Sequence, residues 1–190
     1  METLNLTRAY ETGKGFIEQV EAESGVKVKA CYQCGKCTAG CPVAFAMDYT
    51  PRQIIRMMQL GLKEEVLKSK TIWLCVHCET CYTRCPKEIE LAKLMETLRM
   101  EAKKAGYVGE KEVDLFSDLF LKSVENHGRV HEMGLVIGFN LLSMQPFKDA
   151  GLGPIMMQKG KIHIMPSNIK GKAAVKRIFE KTRQMGGGSK

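Results

Sequence analysis

Two stretches of the chain repeat one pattern of reactive side chains. CYQCGKCTAGCP runs from Cys31 to Pro42, and CVHCETCYTRCP runs from Cys75 to Pro86. Each reads C-x-x-C-x-x-C-x-x-x-C-P, the second lies 44 residues after the first, and together they use all eight cysteines of the chain. Thiolates in such numbers serve either as disulfide partners or as soft metal ligands. The first residues, METLNLTRAYETGKG, hold charged side chains and no apolar run, so no secretory signal is expected. The expected compartment is the cytoplasm, where thiols are kept reduced and metal ligation is the more economical use of them.

The spacing decides which metal. Three cysteines set three residues apart on one tight turn can reach three irons of a cube, and the fourth iron must be reached from elsewhere. This is the ligand run of bacterial [4Fe-4S] sites, in which the fourth Cys serves the other cluster. That logic assigns Cys31, Cys34, Cys37 and Cys85 to one cluster and Cys41, Cys75, Cys78 and Cys81 to the other. Local ligation, with Cys41 and Cys85 kept by their own runs, is the alternative. Structural zinc is a third reading, but zinc takes four ligands and has no use for the third close Cys or the repeated C-P ending. The proline after each run stops the chain from continuing as a helix at a crowded site.

Side chains near the runs allow two readings each. His77 stands between Cys75 and Cys78, where it could donate to cluster sulfur or simply occupy an exposed loop. Trp73 could shield a cluster or anchor the core, and Tyr32 and Tyr82 share that ambiguity. His127, His131 and His163 have no ligand grouping and read as structural or surface residues. Met57, Met58, Met156 and Met157 read as packing around bulky groups, because the cysteines already complete both sites. No cysteine is left over for thiol catalysis, and GLGPIM at Gly151 is not a nucleotide-binding glycine fingerprint. No catalytic residue is expected, and the chain by itself reads as an electron wire.

The elements that must hold these runs are helices. ETGKGFIEQVEAES, from Glu11 to Ser24, reads as a short amphipathic helix ended by Gly25. Thr50 and Pro51 mark a helix start, after which Ile54, Ile55, Met58, Leu62 and Val66 recur at helical spacing and Gly61 offers a break. Leu91, Leu94, Met95, Leu98 and Ala102 form one stripe ending near Gly106. Further helices are expected within EKEVDLFSDLFLKSVENHG, HEMGLVIGFNLLSMQ and KAAVKRIFEKTRQ. The stretch from Pro146 to Gly171 reads as irregular with KIHIM as a short extended piece, and the terminal GGGSK as loose. The expected fold class is all-α. Its expected parts are an N-terminal arm and helix over residues 1–28, a two-cluster domain over 29–108, and a C-terminal helical and irregular extension with a basic tail over 109–190.

Charge sharpens this organisation. The formal net charge is +8, yet residues 1–150 balance 20 basic against 20 acidic side chains, while residues 151–190 hold nine basic residues against Glu180. The whole excess lies in the C-terminal segment. With no stacking platform or nucleic-acid motif beside it, that segment reads as a solvated face or a site for an acidic protein partner. The longest apolar stretch, MGLVIGFNLLSM, has twelve residues and is broken by Asn140, too short to span a bilayer.

Two full cysteine runs separated by helix, with no hairpins around them, resemble the α-helical ferredoxin domain. More narrowly, CYQCGKCTAGCPVAF, PRQIIRMMQLGLKEEVLKSKTIWLCVHCETCYTRCP, GPIMMQKGKIHIMPSNIKG and VKRIFEKT resemble the C-subunit family of the soluble heterodisulfide reductases of methanogenic archaea, from about Thr12 to Thr182. The resemblance implies a non-catalytic relay carrying two [4Fe-4S] clusters. It implies single-electron transfer from a flavin-containing, electron-bifurcating subunit to a catalytic subunit with CCG motifs that reduces the CoM-S-S-CoB disulfide. A hydrogenase or formate dehydrogenase would join the larger complex. No CCG motif occurs in this sequence. A relay for another CCG-partnered oxidoreductase, such as a glycerol-3-phosphate dehydrogenase or a sulfur-metabolism complex, is the alternative.

Overall fold

The structure, a computed structural model, describes residues 5–148, 151, 153–160 and 165–185. Among these residues every regular element is helical and there is no strand, so the fold is all-α as expected. The chain divides into two compact units, Met1–Glu110 and Lys111–Lys190.

The first unit opens with α1, Leu6–Ser24. Its start lies five residues before the expected one because the Asn5 side chain accepts a hydrogen bond from the Arg8 N–H at 3.1 Å, an N-cap that no apolar periodicity announces. Gly25 ends it in the left-handed region, φ 71°, with its N–H bonded to the Glu21 carbonyl. A short 3-10 turn, Val28–Ala30, leads into the first cysteine run, which contains the four-residue helix α2, Lys36–Ala39. Helix α3, Pro51–Gln59, begins behind Thr50, whose backbone N–H donates to Gln53 Oε1 at 2.8 Å. Gly61, at φ 75°, breaks the helical run, and α4 follows over Lys63–Lys68. Two more short helices, α5 at Thr71–Leu74 and α6 at Thr80–Thr83, flank the start of the second run before the long α7, Leu91–Lys104.

Helix α7 is the centre of this unit, touched by α1, α4, α5 and α6. The expected stripe of Leu91, Leu94, Met95, Leu98 and Ala102 is buried along its length. Phe16, Ile17 and Val20 of α1, Ile54, Ile55 and Met58 of α3, and Val66 and Leu67 of α4 complete the core. Burying each such Leu or Ile side chain contributes about 1.5–3 kcal/mol.

The second unit holds α8, Lys111–His127, α9, Glu132–Leu142, α10, Gly153–Gln158, and α11, Lys172–Gln184. The six residues of α10 fall inside the stretch expected to be irregular. Pro154 sits in the first turn of that helix, where its missing N–H costs no hydrogen bond. The expected extended piece KIHIM falls, except for Met165, outside the described residues, as do His163 and the GGGSK tail. Phe116 of α8 meets Phe139 of α9 edge-on at 5.9 Å, and Arg183 of α11 pairs with both oxygens of Glu125 on α8 at 2.9 and 2.6 Å. Leu135 is the one large apolar side chain buried here among the described residues. Phe116, Phe120, Leu121, Leu141 and Leu142 are exposed. Among the described residues no helix is long and apolar enough to cross a membrane.

Backbone crowding joins α1 to the bend after α3. A Cβ on Gly13 would lie 2.2 Å from the Gly61 carbonyl oxygen, whereas a Cβ on Gly15, two residues on, would meet nothing within 4 Å. Gly13→Ala is therefore expected to destabilise the chain by about 1–3 kcal/mol. Gly15→Ala should be neutral or stabilising by up to about 1 kcal/mol. Thermal unfolding of the anaerobically purified variants measures both.

Candidate metal centre

The two runs share one backbone. In the first, Gln33 and Gly35 take positive φ of 64° and 83°; in the second, His77 and Glu79 stand at the same places with 51° and 57°. Each left-handed residue reverses the chain so that successive N–H groups turn inward, the concavity that favours anions. The Gln33 N–H accordingly points to Cys31 Sγ at 3.4 Å, and the His77 backbone N–H favours the Cys75 thiolate in the same way. Each run then forms its four-residue helix, α2 or α6, and those two helices pack together. The third Cys of each run, Cys37 or Cys81, lies in that helix.

None of the eight cysteines is in a disulfide. Cys34 and Cys78, the second of each run, are exposed, and the other six are half-buried. Burial pushes the Cys81 thiol up to about 11, with the neighbouring Cys75 adding to it. Burial also raises Cys37 and Cys75. At Cys78 the side chain and backbone of Thr80 favour the thiolate and lower its value. A buried neutral thiol gives up its proton to a metal at a cost, which bound iron must offset.

An apolar hollow of about 400 Å³, counting space open to solvent, is lined by Cys41 together with Cys75, Cys78 and Cys81. Val43, Met47, Pro51, Leu91, Ala92 and Met95 form its apolar wall. The fourth cysteine of the first run thus sits with the first three of the second, and the electrostatic coupling of Cys75 to Cys41 agrees. On the other side, the Tyr32 hydroxyl is held above its usual value by the desolvation it experiences and then by Cys34, Cys85 and Cys31 together. Cys81 also feels Cys37, so the two thiol groups are neighbours. Soft thiols ringing an apolar space, with backbone N–H groups turned toward sulfur, are the donor set an iron–sulfur cube needs.

The remaining singled-out residues separate cleanly. Trp73 is core, 3% exposed, with its ring edge against Gly109. His77 is exposed but lines the hollow, while Tyr32 and Tyr82 are exposed. His131 caps α9, its Nδ1 accepting from the Gly134 N–H at 3.2 Å, and His127 Nδ1 lies 3.2 Å from Asn168 Oδ1. Met57 and Met58 fill the core as expected. Met156 and Met157 do not: they are exposed on α10, a helix too short to bury both sides.

Three positioning residues escaped the sequence reading. Gln59 of α3 donates from Nε2 to the carbonyls of Val28 and Cys31, both at 2.9 Å. Arg99 of α7 donates to the carbonyls of Ile72 and Cys75, both at 3.0 Å. Asp48, seven residues after Cys41, accepts five hydrogen bonds from Tyr49 and from the Ser69–Thr71 turn that precedes α5. The repeat does not announce the first two, since Gln59 lies 28 residues after Cys31 and Arg99 lies 24 after Cys75.

An all-α fold built around two matched thiol sets defines a two-cluster iron–sulfur protein. Residues 27–89 match the family model of the 4Fe-4S dicluster domain, and the chain carries two [4Fe-4S] clusters. Among similar proteins is the C subunit of the H(2):CoB-CoM heterodisulfide,ferredoxin reductase of Methanothermobacter marburgensis, 38% identical over 104 residues, 55% of this chain and 56% of that one. The iron-sulfur C subunit of the CoB-CoM heterodisulfide reductase of Methanopyrus kandleri is 43% identical over 90 residues, 47% of each chain. The C subunit of the ferredoxin:CoB-CoM heterodisulfide reductase of Methanosarcina acetivorans is 39% identical over 101 residues, 53% of this chain and 39% of that one. The resemblance to C subunits is thus matched by several of them. The aligned stretch spans about half the length of these relatives or less, shorter than the Thr12 to Thr182 range read from the sequence.

Asp48 ties the two halves of the site together through the segment before Cys75. Partial burial would raise its carboxyl, but the hydrogen bonds from Thr71, Lys70, Ser69 and Tyr49 outweigh that and hold it below the usual carboxylate range. With the folded value below the unfolded value near 3.9, its stabilisation is complete above that pH and is lost as pH falls through the folded value. Asp48→Asn is expected to cost about 1–3 kcal/mol. In thermal unfolding the gap between wild type and variant should stay constant from pH 7 to about 5.

Proposed function

We propose that this chain is the electron-relay subunit of a CoB-CoM heterodisulfide reductase. In this reading it takes single electrons from a flavin-containing bifurcating subunit and passes them to a CCG-motif subunit that reduces the CoM-S-S-CoB disulfide. The observation that carries the relay is the placement of Cys41 among Cys75, Cys78 and Cys81 around one hollow. It supports crossed ligation, with Cys31, Cys34, Cys37 and Cys85 on the first cluster and Cys41, Cys75, Cys78 and Cys81 on the second.

When bound, such clusters each accept and release one electron without a proton or a substrate. The protein's part is to hold the two thiol groups as neighbours through the α2–α6 contact. The hollow's apolar wall would keep water from a cluster held there, and Cys34 and Cys78 stay at the surface where a partner can approach. The exposed apolar side chains of α8 and α9, with the basic α11, suit permanent docking to other subunits better than free diffusion. A cytoplasmic complex follows from this reading.

Anaerobic purification from the native host should yield about eight irons per chain, the sum of two four-iron clusters, with flavin and CCG-motif subunits attached. The isolated chain should reduce no heterodisulfide, and turnover by it alone would overturn the relay reading. Crossed ligation has its own test in electron paramagnetic resonance of the reduced chain. Cys34→Ala and Cys85→Ala should perturb one and the same signal, and Cys78→Ala and Cys41→Ala the other. If Cys34 pairs with Cys41 instead, ligation is local.

A further inference from the structure

In each half of the site one side chain braces the turn that enters the cysteine run, and the two braces differ in charge. Val28 stands three residues before Cys31 as Ile72 stands three before Cys75, and in each half a side chain from the following long helix donates to both carbonyls. Gln59 reaches both carbonyls from its one amide nitrogen and Arg99 from two guanidinium nitrogens, and each fixes the turn entering its cysteine run. The donor in the first half is the neutral amide of Gln59. In the second it is the guanidinium of Arg99, which is half-buried.

A fixed positive charge beside a cluster favours the form carrying the extra electron, and more so where the charge is shielded from water. The other charged side chains near the runs do not cancel this difference. Each entry turn takes one carboxylate, Glu21 at the Val28 N–H and Asp48 at the Thr71 N–H, so these match between the halves. Lys36, Arg52 and Arg84 near the first run, and Glu79 and Glu96 near the second, are all exposed, where solvent and salt screen them within about a Debye length. Arg99 contributes its charge from inside, 3.0 Å from the carbonyl of a cysteine of the second run.

We propose that Arg99 sets the direction of the relay: it raises the reduction potential of the cluster held by Cys75 above that of the cluster held by Cys31, whose equivalent place Gln59 fills without charge. A single electron supplied by a one-electron donor then passes from the reduced Cys31 cluster, which is reoxidised, to the oxidised Cys75 cluster, which is reduced, with no proton or bond change. The Cys31 side is the entry and the Cys75 side the exit. Arg99 is a positioning and tuning residue, since it touches backbone and not a reacting atom. The inference rests on the two-cluster reading but not on crossed ligation, because Cys31 and Cys75 belong to different clusters either way.

The test is an anaerobic potentiometric titration of the full, cluster-loaded chain followed by electron paramagnetic resonance, with the signal of the Cys75 cluster identified by its change in Cys78→Ser. In wild type that signal should appear at the higher potential. Arg99→Gln should lower its midpoint by at least a tenfold change in the reduced-to-oxidised ratio at fixed potential, about 59 mV for one electron, and leave the other midpoint in place. Arg99→Lys should restore most of the loss. The reverse order in wild type, an unmoved midpoint in Arg99→Gln, or equal midpoints in Arg99→Gln and Arg99→Lys would overturn the proposal. Should Arg99→Gln fail to hold its cluster, Gln59→Lys decides: a raised midpoint for the Cys31 cluster supports the role of charge at this place, and an unmoved one overturns it. A wild-type chain that holds eight irons but shows the wrong order counts against Arg99 alone, whereas one that holds no iron counts against the two-cluster reading.

Discussion

The meeting of Cys41 with Cys75, Cys78 and Cys81 is the constraint on which the rest of the first unit depends. Residues more than thirty positions apart must face one small space, so the intervening chain has to leave and return. The α3–α4 bend accomplishes this with the left-handed Gly61. Asp48 then clamps the returning turn at Ser69–Thr71, and α7 supplies the apolar surface on which α1, α4, α5 and α6 close. The thiols lie in the runs and on α2 and α6, which bury nothing themselves, and the core lies in the longer helices against which those two pack.

The repeat explains how one short pattern builds two sites. Left-handed residues fall at matching places, and α2 and α6 pack as a pair. A carboxylate from another segment receives an N–H at the start of each turn that enters a run: Glu21 takes the Val28 N–H at 2.7 Å, and Asp48 takes that of Thr71 at 3.0 Å. The copies depart where side chains reach across from the long helices. A left-handed Glu79 where the first half has Gly35 shows that the second half tolerates a strained residue that glycine would relieve.

Much of this was legible from residue types. The helix Lys172–Gln184 matches the periodic stretch read from the sequence, the α7 stripe is buried residue for residue, and Gly61 breaks the chain where its conformational freedom suggested. The cysteine spacing carried the cluster type because thiol geometry is encoded locally. What escaped was of two kinds. Short helices such as α2, α6 and α10 lack the length for periodicity to register. Gln59, Arg99 and Asp48 act on backbone 22 to 31 residues away, a distance at which no pattern of apolar spacing speaks. Their polar character alone made them look like ordinary surface.

One detail of burial bears on how such a protein must be handled. Cys34 and Cys78 occupy equivalent corners, and they are the two cysteines of the eight that reach the surface. Tunnelling falls off with the thickness of insulation, so these corners are the thin spots through which charge passes most readily between the clusters and anything outside. A thin spot does not select its visitors. The same two corners are open to dioxygen unless a neighbouring protein shields them, and corrosion of the clusters would begin there.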